Sequence, residues 1–575
     1  MTDGRTQHSP HTETTRAGTG THGAGTGAHE AGTGTSGARS GAPGAGAAAP
    51  GAGAGVPGAR GRSPEPGTTT GYLAYADRVY TGDDTLLAHF TGAYAEEGLV
   101  RVGERTGFFP AFANVAVFDT GSEGLVMVDS GEARTAERLY AAVSAFGGPG
   151  REVRTVVHTH GHIDHVFGVG PFDAAARARG TEPPEVVAHE AVAARFDRYT
   201  ATAGYNSWIN RRQFGVPGIE WPTAYRYPDT TYRDRLTLRR GELTFELHHA
   251  RGETDDATYV WVPELKTLCT GDLFIWNAPN AGNPQKAQRY PEDWARALRA
   301  MSALGAEVLL PGHGVPIRGA DRVATALDDC AELLESLCAQ TRELMNAGLR
   351  LDEVLHRVRA PAGLLDRPYL HPAYDEPEFV VRNLWRLWGG WYDQNPAHLK
   401  PAPDRALAAE FADAAGGAPV LARRALRLLA GNEQRLAAHL AETAALAAPE
   451  DREVARVRAQ VYGARAAAEP STMARGIFAW AAAESAAVAE GTDVATELTR
   501  SEKGRRRAAG AISVGVVDED TCSCGGGGDE GGRTDGSGGG DEGGRTDGSG
   551  GGGEDGTPHG TGGGSGGRRG GETAR

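Results

Sequence analysis

Four side chains of types that bind metal ions stand within six positions of one another, in residues 159–165, which read THGHIDH. They are His160, His162, Asp164 and His165. Three imidazoles and a carboxylate suit zinc or another first-row divalent metal. The alternating spacing allows His160 and His162 to serve one metal position, and Asp164 and His165 a second. Two ions about 3.5–4 Å apart can share a hydroxide held ready as a nucleophile, which is the chemistry of a hydrolase.

The residues on either side of this motif indicate the elements that must position it. Residues 153–157 (VRTVV) are rich in valine and predict a strand, and residues 166–170 (VFGVG) form a turn after the motif. A surface histidine run would lack both flanks, whereas a strand that ends at a ligand loop holds its side chains in place. We interpret His158 as the end of that strand or as a support behind the ligands.

Apolar strands alternate with helical periodicity as far as residue 319, which predicts an α/β domain. The predicted strands cover residues 115–118, 125–128, 153–157, 186–188, 243–247, 259–262, 267–269 and 308–310, and the predicted helices include 132–146 and 291–304. Beyond residue 319 only helical periodicity remains. The predicted helices there cover residues 320–347, 378–392, 404–415, 420–430, 433–448, 450–468 and 472–489.

Composition divides the 575-residue chain into four segments. Residues 1–70 and 511–575 are rich in glycine and poor in large apolar side chains. Such segments bury too little apolar surface to offset the entropy lost on ordering, so we expect two disordered tails. Between them we expect a catalytic domain over residues 71–345 and an α-helical domain over residues 346–510.

Charge and apolar content argue against several classes of partner. The formal net charge of −15 argues against nucleic acid, because phosphate contacts need a basic face. The sequence has no apolar run long enough to span a membrane, and its first residues lack the apolar core of a signal peptide. We therefore expect no membrane partner and a cytoplasmic location. The five cysteines give no disulfide framework, and Cys522 and Cys524 are only a weak metal or redox signal.

Residues 159–165 resemble the signature of the metallo-β-lactamase superfamily. The resemblance implies an αββα sandwich with a dinuclear metal site between its two sheets. It also implies further ligands that follow in a fixed order along the chain. Asp272, which follows Gly271, would bridge both ions, and His313, within residues 311–314 (PGHG), would complete the second metal position.

The remaining ligand position departs from most of the superfamily and resembles that of the alkyl sulfatases. Most members carry a histidine there, whereas residues 249–253 read HARGE and place a carboxylate, Glu253, at the ligand position. In the alkyl sulfatases a glutamate precedes the bridging acid by the same interval as Glu253 precedes Asp272. His249 remains a rival ligand. We expect the neighbouring residues 255 and 256, both aspartates, behind the ligands or at the surface.

Together these resemblances imply two zinc ions per chain. The implied first position comprises His160, His162 and Glu253, the second comprises Asp164, His165 and His313, and Asp272 spans both. Asp164 and Asp272 are the candidate catalytic residues of this set.

A second stretch resembles the dimerisation region of the alkyl sulfatases. It comprises residues 368–372 (PYLHP), 380–385 (VVRNLW) and 389–396 (GGWYDQNP). Composition alone would fit an ordinary apolar core, since aromatic residues serve both cores and interfaces. The resemblance implies instead that the chain forms a homodimer through its helical domain.

Two departures from the alkyl sulfatases bear on the substrate. The glycine-rich tail stands where those enzymes carry a sterol-carrier-like domain, which argues against long-chain detergents. Their sulfate-binding arginine is not in register either, so we expect Lys286 or Arg289 to bind an anion, with Asn280 as a further polar contact. Tyr205 and Asn206 precede an arginine pair and are a candidate substrate wall.

Three functions are compatible with these residues. The leading hypothesis is hydrolysis of alkyl sulfate esters by a metal-bridging hydroxide. A lactonase or thioesterase would need the same metal site without an anion-binding Lys286, and fold alone does not choose between them. The third hypothesis is a dimeric scaffold without enzymatic activity, against which the complete ligand set argues.

Overall fold

The computed structural model describes residues 69–86 and 98–508. The two predicted tails lie outside the described residues apart from Thr69 and Thr70, and so do Cys522 and Cys524.

Seven short strands form a first sheet in the order β1 to β7. They are β1 (Val100–Gly103), β2 (Thr106–Phe109), β3 (Val115–Asp119), β4 (Leu125–Val128), β5 (Val153–Val157), β6 (Glu185–His189) and β7 (Thr230–Tyr232). Strands β1 to β4 pair antiparallel, and β4 to β7 pair parallel. Parallel neighbours need crossover connections, which are helical here. The connecting helices are α2 (Ala136–Gly147), α3 (Ile163–Val166), α4 (Gly170–Arg179), α5 (Ala191–Ala201) and α6 (Ala203–Phe214).

Six further strands form a second sheet in the order β13 to β8. They are β8 (Arg235–Arg240), β9 (Leu243–His249), β10 (Thr258–Val262), β11 (Thr267–Gly271), β12 (Val308–Pro311) and β13 (Ile317–Arg318). All neighbours are antiparallel except β11 and β12, which pair parallel across α7 (Pro291–Ser302).

The two sheets face each other across one apolar core. Phe118 of β3 and Phe245 of β9 are both fully buried, and their ring centroids lie 5.4 Å apart. Successive side chains of a strand point to opposite faces, so the neighbouring residue Val117 packs instead in a second apolar cluster, with Leu139 of α2 and Phe172 of α4. Burial on both faces explains why strands β3 and β4 read as continuous apolar runs rather than as alternating ones.

Helices follow the second sheet to the end of the described residues. They are α8 (Ala320–Asn346), α9 (Leu351–Arg357), α10 (Pro377–Gly389), α11 (Pro396–Leu399), α12 (Asp404–Ala414), α13 (Ala418–Ala430), α14 (Gln434–Ala447), α15 (Arg452–Ala468), α16 (Thr472–Glu490) and α17 (Val494–Ala508). One more helix, α1 (Thr69–Thr81), precedes the first sheet. The fold class is therefore confirmed as an α/β sandwich followed by helices. Among the described helices, none is both long enough and apolar enough to cross a membrane.

The core of the sandwich continues into the first of these helices. Leu334 of α8 and Leu384 of α10 are fully buried in the same apolar cluster as Phe245 of the second sheet. The described residues up to Ser501 form one compact unit. The boundary at residue 345 therefore stays a prediction, because packing continues across it.

Several elements were not predicted from the sequence, and one helix ends earlier than expected. They include the strands β1, β2, β7 and β8 and the helices α5, α6 and α9, and of these helices α6 has no strong apolar face. Helix α10 ends at Gly389 rather than at residue 392, because Gly390 adopts a positive φ of 85° that does not continue a helix.

Candidate metal centre

The ends of two parallel strands position the THGHIDH motif. Strand β5 ends at Val157, the next residues leave the sheet, and the one-turn helix α3 begins at Ile163. The parallel neighbour of β5 is β4, in which Val128 is paired with Val157. Because the carboxyl ends of parallel strands meet at one edge, the residue after β4, Asp129, lies beside the ligand loop.

The second sheet places the later candidate ligands opposite this loop. Glu253 lies in the connection between β9 and β10, Asp272 follows β11, and His313 follows β12. Strands β11 and β12 are parallel, so Asp272 and His313 leave the sheet at the same edge. A Cβ atom at Gly312 would collide with the Asp272 carboxylate, so this approach of the two strand ends requires glycine.

The seven candidate ligands converge in two groups. His160, His162, Glu253 and Asp272 form one group, and Asp164, His165 and His313 form the other. Within each group the candidate ligand atoms all lie within 4.8 Å of one another. Such an arrangement of imidazoles and carboxylates matches the donors that bind zinc.

The Asp272 carboxylate faces both groups. Its Oδ2 lies 3.6 Å from Nε2 of His160 and 3.9 Å from Nδ1 of His162. Its Oδ1 lies 3.2 Å from Nε2 of His165 and 3.4 Å from Nε2 of His313. One carboxylate oxygen is thus directed at each group, which is the placement that a bridging ligand requires.

Hydrogen bonds behind the imidazoles fix the direction in which the rings point. Nδ1 of His165 lies 2.8 Å from Oδ2 of Asp129, so Nε2 is left to face the cluster. The same carboxylate accepts hydrogen bonds from the backbone NH and the hydroxyl of Thr159. The Thr159 hydroxyl oxygen also lies 3.1 Å from Nδ1 of His160. On the other side of the centre, Nδ1 of His313 is bonded to the Phe112 carbonyl oxygen. Partners of this kind orient metal ligands in proteins.

Asp129 supports two candidate ligands and was not predicted from the sequence as part of the site. It is buried, and its φ of 63° is rare for a residue other than glycine. Its position immediately after β4 was the available signal, because β4 pairs parallel with the strand that delivers the histidines. That pairing becomes visible only in the fold.

Glu253 is held by a buried polar cluster. Nη1 of Arg289 lies 2.6 Å from Oε1 of Glu253 and also donates to the Glu253 carbonyl oxygen. Nδ2 of Asn280 donates to the same carboxylate oxygen. Burial raises the pKa of Glu253 to about 8, although the charge of Arg289 works against this rise. A cation beside the free oxygen of this carboxylate would favour the ionised form.

Burial and nearby charges shift the pKa values of the candidate histidines in different directions. Burial lowers the pKa of His162 to about 4 and holds that of His160 well below its ordinary value. At His165 burial acts in the same direction, but the carboxylates of Asp272 and then Asp129 outweigh it and raise the pKa well above the ordinary value. Two neutral imidazoles are ready to bind a cation, and the carboxylates supply the compensating negative charge.

Several buried atoms of the cluster lack the partners that buried polar atoms normally have. Nε2 of His165, Oδ1 of Asp272 and Oε2 of Glu253 are buried without a hydrogen bond among the described residues. Buried polar groups are rarely left unsatisfied in this way, and here all three belong to the two ligand groups. The residues present therefore fit a pair of divalent cations.

The cluster opens into a cavity of about 670 Å³. Its lining is mostly apolar and includes Phe112, Ile163, Phe167, Phe214, Val216, Ile219, Trp221, Pro222 and Ile275. The polar lining residues include Asn210, Asn277, Asn280, Asn283, Lys286, Arg289 and Tyr374. Tyr374 comes from the connection between α9 and α10, so the region after the sandwich also contributes to the cavity wall.

Only some of the predicted substrate-binding residues line the cavity. Lys286 and Asn280 line the cavity, and Arg289 lines it with its guanidinium bound to Glu253. The structure does not bring Tyr205 and Asn206 to the cavity, which corrects their interpretation as a substrate wall. Tyr205 is 61% exposed, and Asn206 is buried against Thr202, to which its amide donates. One helical turn later, Asn210 reaches the cavity instead.

The rival ligand His249 lies outside the two ligand groups, as do the residues expected behind the ligands or at the surface. Nε2 of His249 lies 2.9 Å from the carbonyl oxygen of Asp255, and its ring stacks on His189. Asp256 is fully buried behind the ligand loop, whereas the side chain of Asp255 is 42% exposed. His158 is fully buried at the end of β5, and neither ring nitrogen has a partner among the described residues.

Two protein families match this chain. Residues 109–313 match the metallo-beta-lactamase superfamily, and residues 350–487 match the family described as alkyl sulfatase dimerisation. The first match contains all seven candidate ligands, and the second contains helices α9 to α15 and most of α16.

Two relatives that match part of this chain are named as alkylsulfatases. A linear primary-alkylsulfatase of Pseudomonas is 25% identical over 51% of this chain and 59% of its own length. An (R)-specific secondary-alkylsulfatase of Pseudomonas is 27% identical over 60% of this chain and 56% of its own length. The chain therefore matches less than two thirds of the length of either relative.

A solved structure shares the fold. The stereoselective inverting sec-alkylsulfatase Pisa1 from Pseudomonas superposes with a TM-score of 0.61, over 72% of this chain and 70% of that one. At 21% identity, this likeness concerns the fold alone.

Proposed function

Since the chain joins a metallo-β-lactamase domain to an alkyl sulfatase dimerisation domain, we propose that it is a zinc-dependent hydrolase of alkyl sulfate esters. The single observation that carries the choice of a sulfate ester is the position of Lys286. This half-buried residue places an ammonium group in the wall of the cavity that contains the metal ligands.

Lys286 differs from the other cations of the cavity in having no acid beside it. Arg289 is 2.6 Å from Glu253, and Arg134 is 2.9 Å from Glu132. Nζ of Lys286 instead bonds to the neutral Oδ1 of Asn210 at 3.0 Å, and no carboxylate of the described residues lies within ion-pair distance. A half-buried cation without an ion-pair partner favours an anionic ligand, and a sulfate monoester supplies that charge.

The metal positions follow from the two ligand groups. His160, His162 and Glu253 would hold the first zinc ion, Asp164, His165 and His313 the second, and Asp272 both. When bound, the two ions would lower the pKa of a water molecule and offset the charge that develops on the leaving oxygen. Asp164 would take part by helping to hold the second ion, and Asp272 by contributing one carboxylate oxygen to each position.

The chain's own side chains would orient the ester between the metal centre and the apolar wall. Lys286 and the amide of Asn277 would face the sulfate group. Phe167 and Trp221 would face the organic group and exclude water from it. A cavity of about 670 Å³ lies in the size range of sites for small organic molecules.

A lactonase or thioesterase would use the same metal ligands but would gain nothing from an unpaired ammonium group. The deciding experiment is turnover by the zinc-loaded protein on a panel of alkyl sulfates of increasing chain length, with neutral esters and lactones in parallel and a chelated sample as the control. We expect metal-dependent release of sulfate. Turnover of neutral esters alone would reject the sulfatase proposal, and no turnover together with no bound zinc would favour a non-enzymatic scaffold.

A further inference from the structure

A buried ion pair lies directly behind the loop that carries the first two candidate ligands. Asp256 is fully buried, and its Oδ2 accepts a hydrogen bond from Nε of Arg195 at 2.6 Å. The Arg195 side chain is itself only 5% exposed. Burial alone would raise the pKa of Asp256, but the Arg195 guanidinium outweighs it and holds that pKa well below the usual range. Burying such a pair gains little general stability, so its position needs another explanation.

The same carboxylate oxygen holds the ligand loop. Oδ2 of Asp256 accepts a second hydrogen bond, at 3.1 Å, from the backbone NH of Gly161, the residue between His160 and His162. A Cβ atom at Gly161 would lie 2.8 Å from Cδ of Arg195 and 3.2 Å from Oδ2 of Asp256. The loop is therefore in close contact with the ion pair, without space for a side chain at this point.

The ion pair also fixes the segment that carries Glu253. Asp256 follows Glu253 by three positions in the connection between β9 and β10. The other end of the Arg195 guanidinium bonds to Asp255 in the same connection. Arg195 itself belongs to α5, so one buried contact joins a helix, the histidine loop and the Glu253 segment.

The second metal position depends on different supports. His165 is oriented by Asp129, and His313 by the Phe112 carbonyl oxygen. Neither contact involves Arg195 or Asp256. A change in the ion pair would therefore act on one half of the centre and leave the hydrogen bonds of the other half in place.

We propose that Arg195 and Asp256 are positioning residues that set the separation between the His160–His162 loop and Glu253, and that they thereby control the affinity of the first metal position but not of the second. This inference rests on the proposed dinuclear centre.

Cobalt binding tests the proposal. The full-length protein and the Asp256→Asn variant are freed of metal and titrated with Co²⁺, while visible absorption and bound metal per chain are followed. We expect two Co²⁺ ions in the wild type. In the variant we expect one ion to bind about 10- to 100-fold more weakly and the other to bind as before. Asp173→Asn is the matched control, because Asp173 is a buried carboxylate bonded to Arg226 at 3.2 Å and is not hydrogen-bonded to a ligand segment.

A second variant covers the case in which Asp256→Asn fails to fold. Arg195→Lys keeps the charge but loses the two-pronged contact, and we expect a smaller loss at the same Co²⁺ site. Normal binding of both ions by Arg195→Lys, or equal weakening of both ions in either variant, would overturn the proposal. Sulfate ester turnover is measured separately on the wild type. Two bound ions without turnover would reject the proposed activity and leave the positioning role standing.

Discussion

Nζ of Lys286 lies 3.0 Å from Oδ1 of Asn210 and 5.4 Å from the ring centroid of Trp221, so the ammonium group is held by an amide and an aromatic face. Both contacts fix its position without neutralising its charge. The group is thereby held in the cavity wall with its charge available to a ligand.

Replacement of Lys286 by methionine should distinguish the sulfatase hypothesis from the esterase hypothesis. Loss of one charge-assisted hydrogen bond predicts a fall of kcat/KM on an alkyl sulfate by about 10- to 100-fold, since such bonds contribute about 1.5–3 kcal/mol. Hydrolysis of a neutral ester should change little. Lys266→Met is the control, because Lys266 is exposed and pairs with Glu307. An equal loss on both substrates would assign Lys286 a structural role.

The affinity for sulfate should depend on pH through Lys286. Burial lowers its pKa to about 7, and the charge of Arg289 adds to this effect. The ammonium form is therefore present below pH 7 and is lost as pH rises through that value. The inhibition constant of inorganic sulfate should accordingly rise with pH between about 6 and 9 in the wild type, and it should be flat in Lys286→Met. A parallel rise in both proteins would exclude Lys286 as the titrating group.

Asp129 should control metal affinity through His165. Asn at this position accommodates the positive φ but removes the negative charge at Nδ1 of the imidazole. We expect Asp129→Asn to bind zinc about 10- to 100-fold more weakly, measured as bound zinc per chain against a series of buffered zinc concentrations. Asp119→Asn, at a partly exposed pair with Arg151, should retain its zinc. Unchanged zinc affinity in Asp129→Asn would contradict this role.

Removal of metal should lower the thermal stability of the folded chain. The candidate ligands come from both sheets, so bound ions would crosslink them only in the native state. At a free zinc concentration 100-fold above its Kd, this linkage contributes about 2.7 kcal/mol per site. Addition of a chelator should lower Tm measured by calorimetry, and Asp272→Ala should lack most of this response. A wild-type Tm that stays unchanged on addition of zinc or of chelator would argue against metal binding at the centre.

The helical region should mediate a homodimer. Trp391 follows α10 within the alkyl sulfatase dimerisation match and is 67% exposed in the single chain. Buried tryptophans often dominate interfaces, so Trp391→Glu should weaken the dimer at least about 10-fold. Light scattering over a dilution series measures this effect. Tyr205→Glu is the matched control, as an exposed aromatic residue outside that region. A wild-type monomer at micromolar concentration would contradict the dimer, and dissociation by the control alone would move the interface to α6.

Much of the candidate site was predicted from local sequence patterns. The motif at residues 159–165 is a strand end followed by one helical turn, so its spacing alone gathers four candidate ligands. Glu253, Asp272 and His313 were found by resemblance, and each follows or separates strands whose apolar runs are visible in the sequence. These strands and the single helical turn are short, so the residues adjacent in sequence are enough to predict them.

Contacts between segments that are distant in sequence could not be predicted. Asp129 and His165 are 36 positions apart, and only the parallel pairing of β4 with β5 brings them together. Arg289 looked like an anion site in sequence, yet the fold places it on Glu253, 36 positions earlier.

What the sequence by itself determined is the candidate ligand set, the α/β class with its helical continuation, and the chemistry that these residues would allow. What only the tertiary structure decided is which groups face which. Helix α6 has no strong apolar face, so packing alone turned Asn210 toward the cavity and left Tyr205 in solvent. The same packing left Lys286 without an acid while it neutralised Arg289. Ligand identity is encoded within a few neighbouring residues, whereas the side that a residue presents depends on everything packed around it.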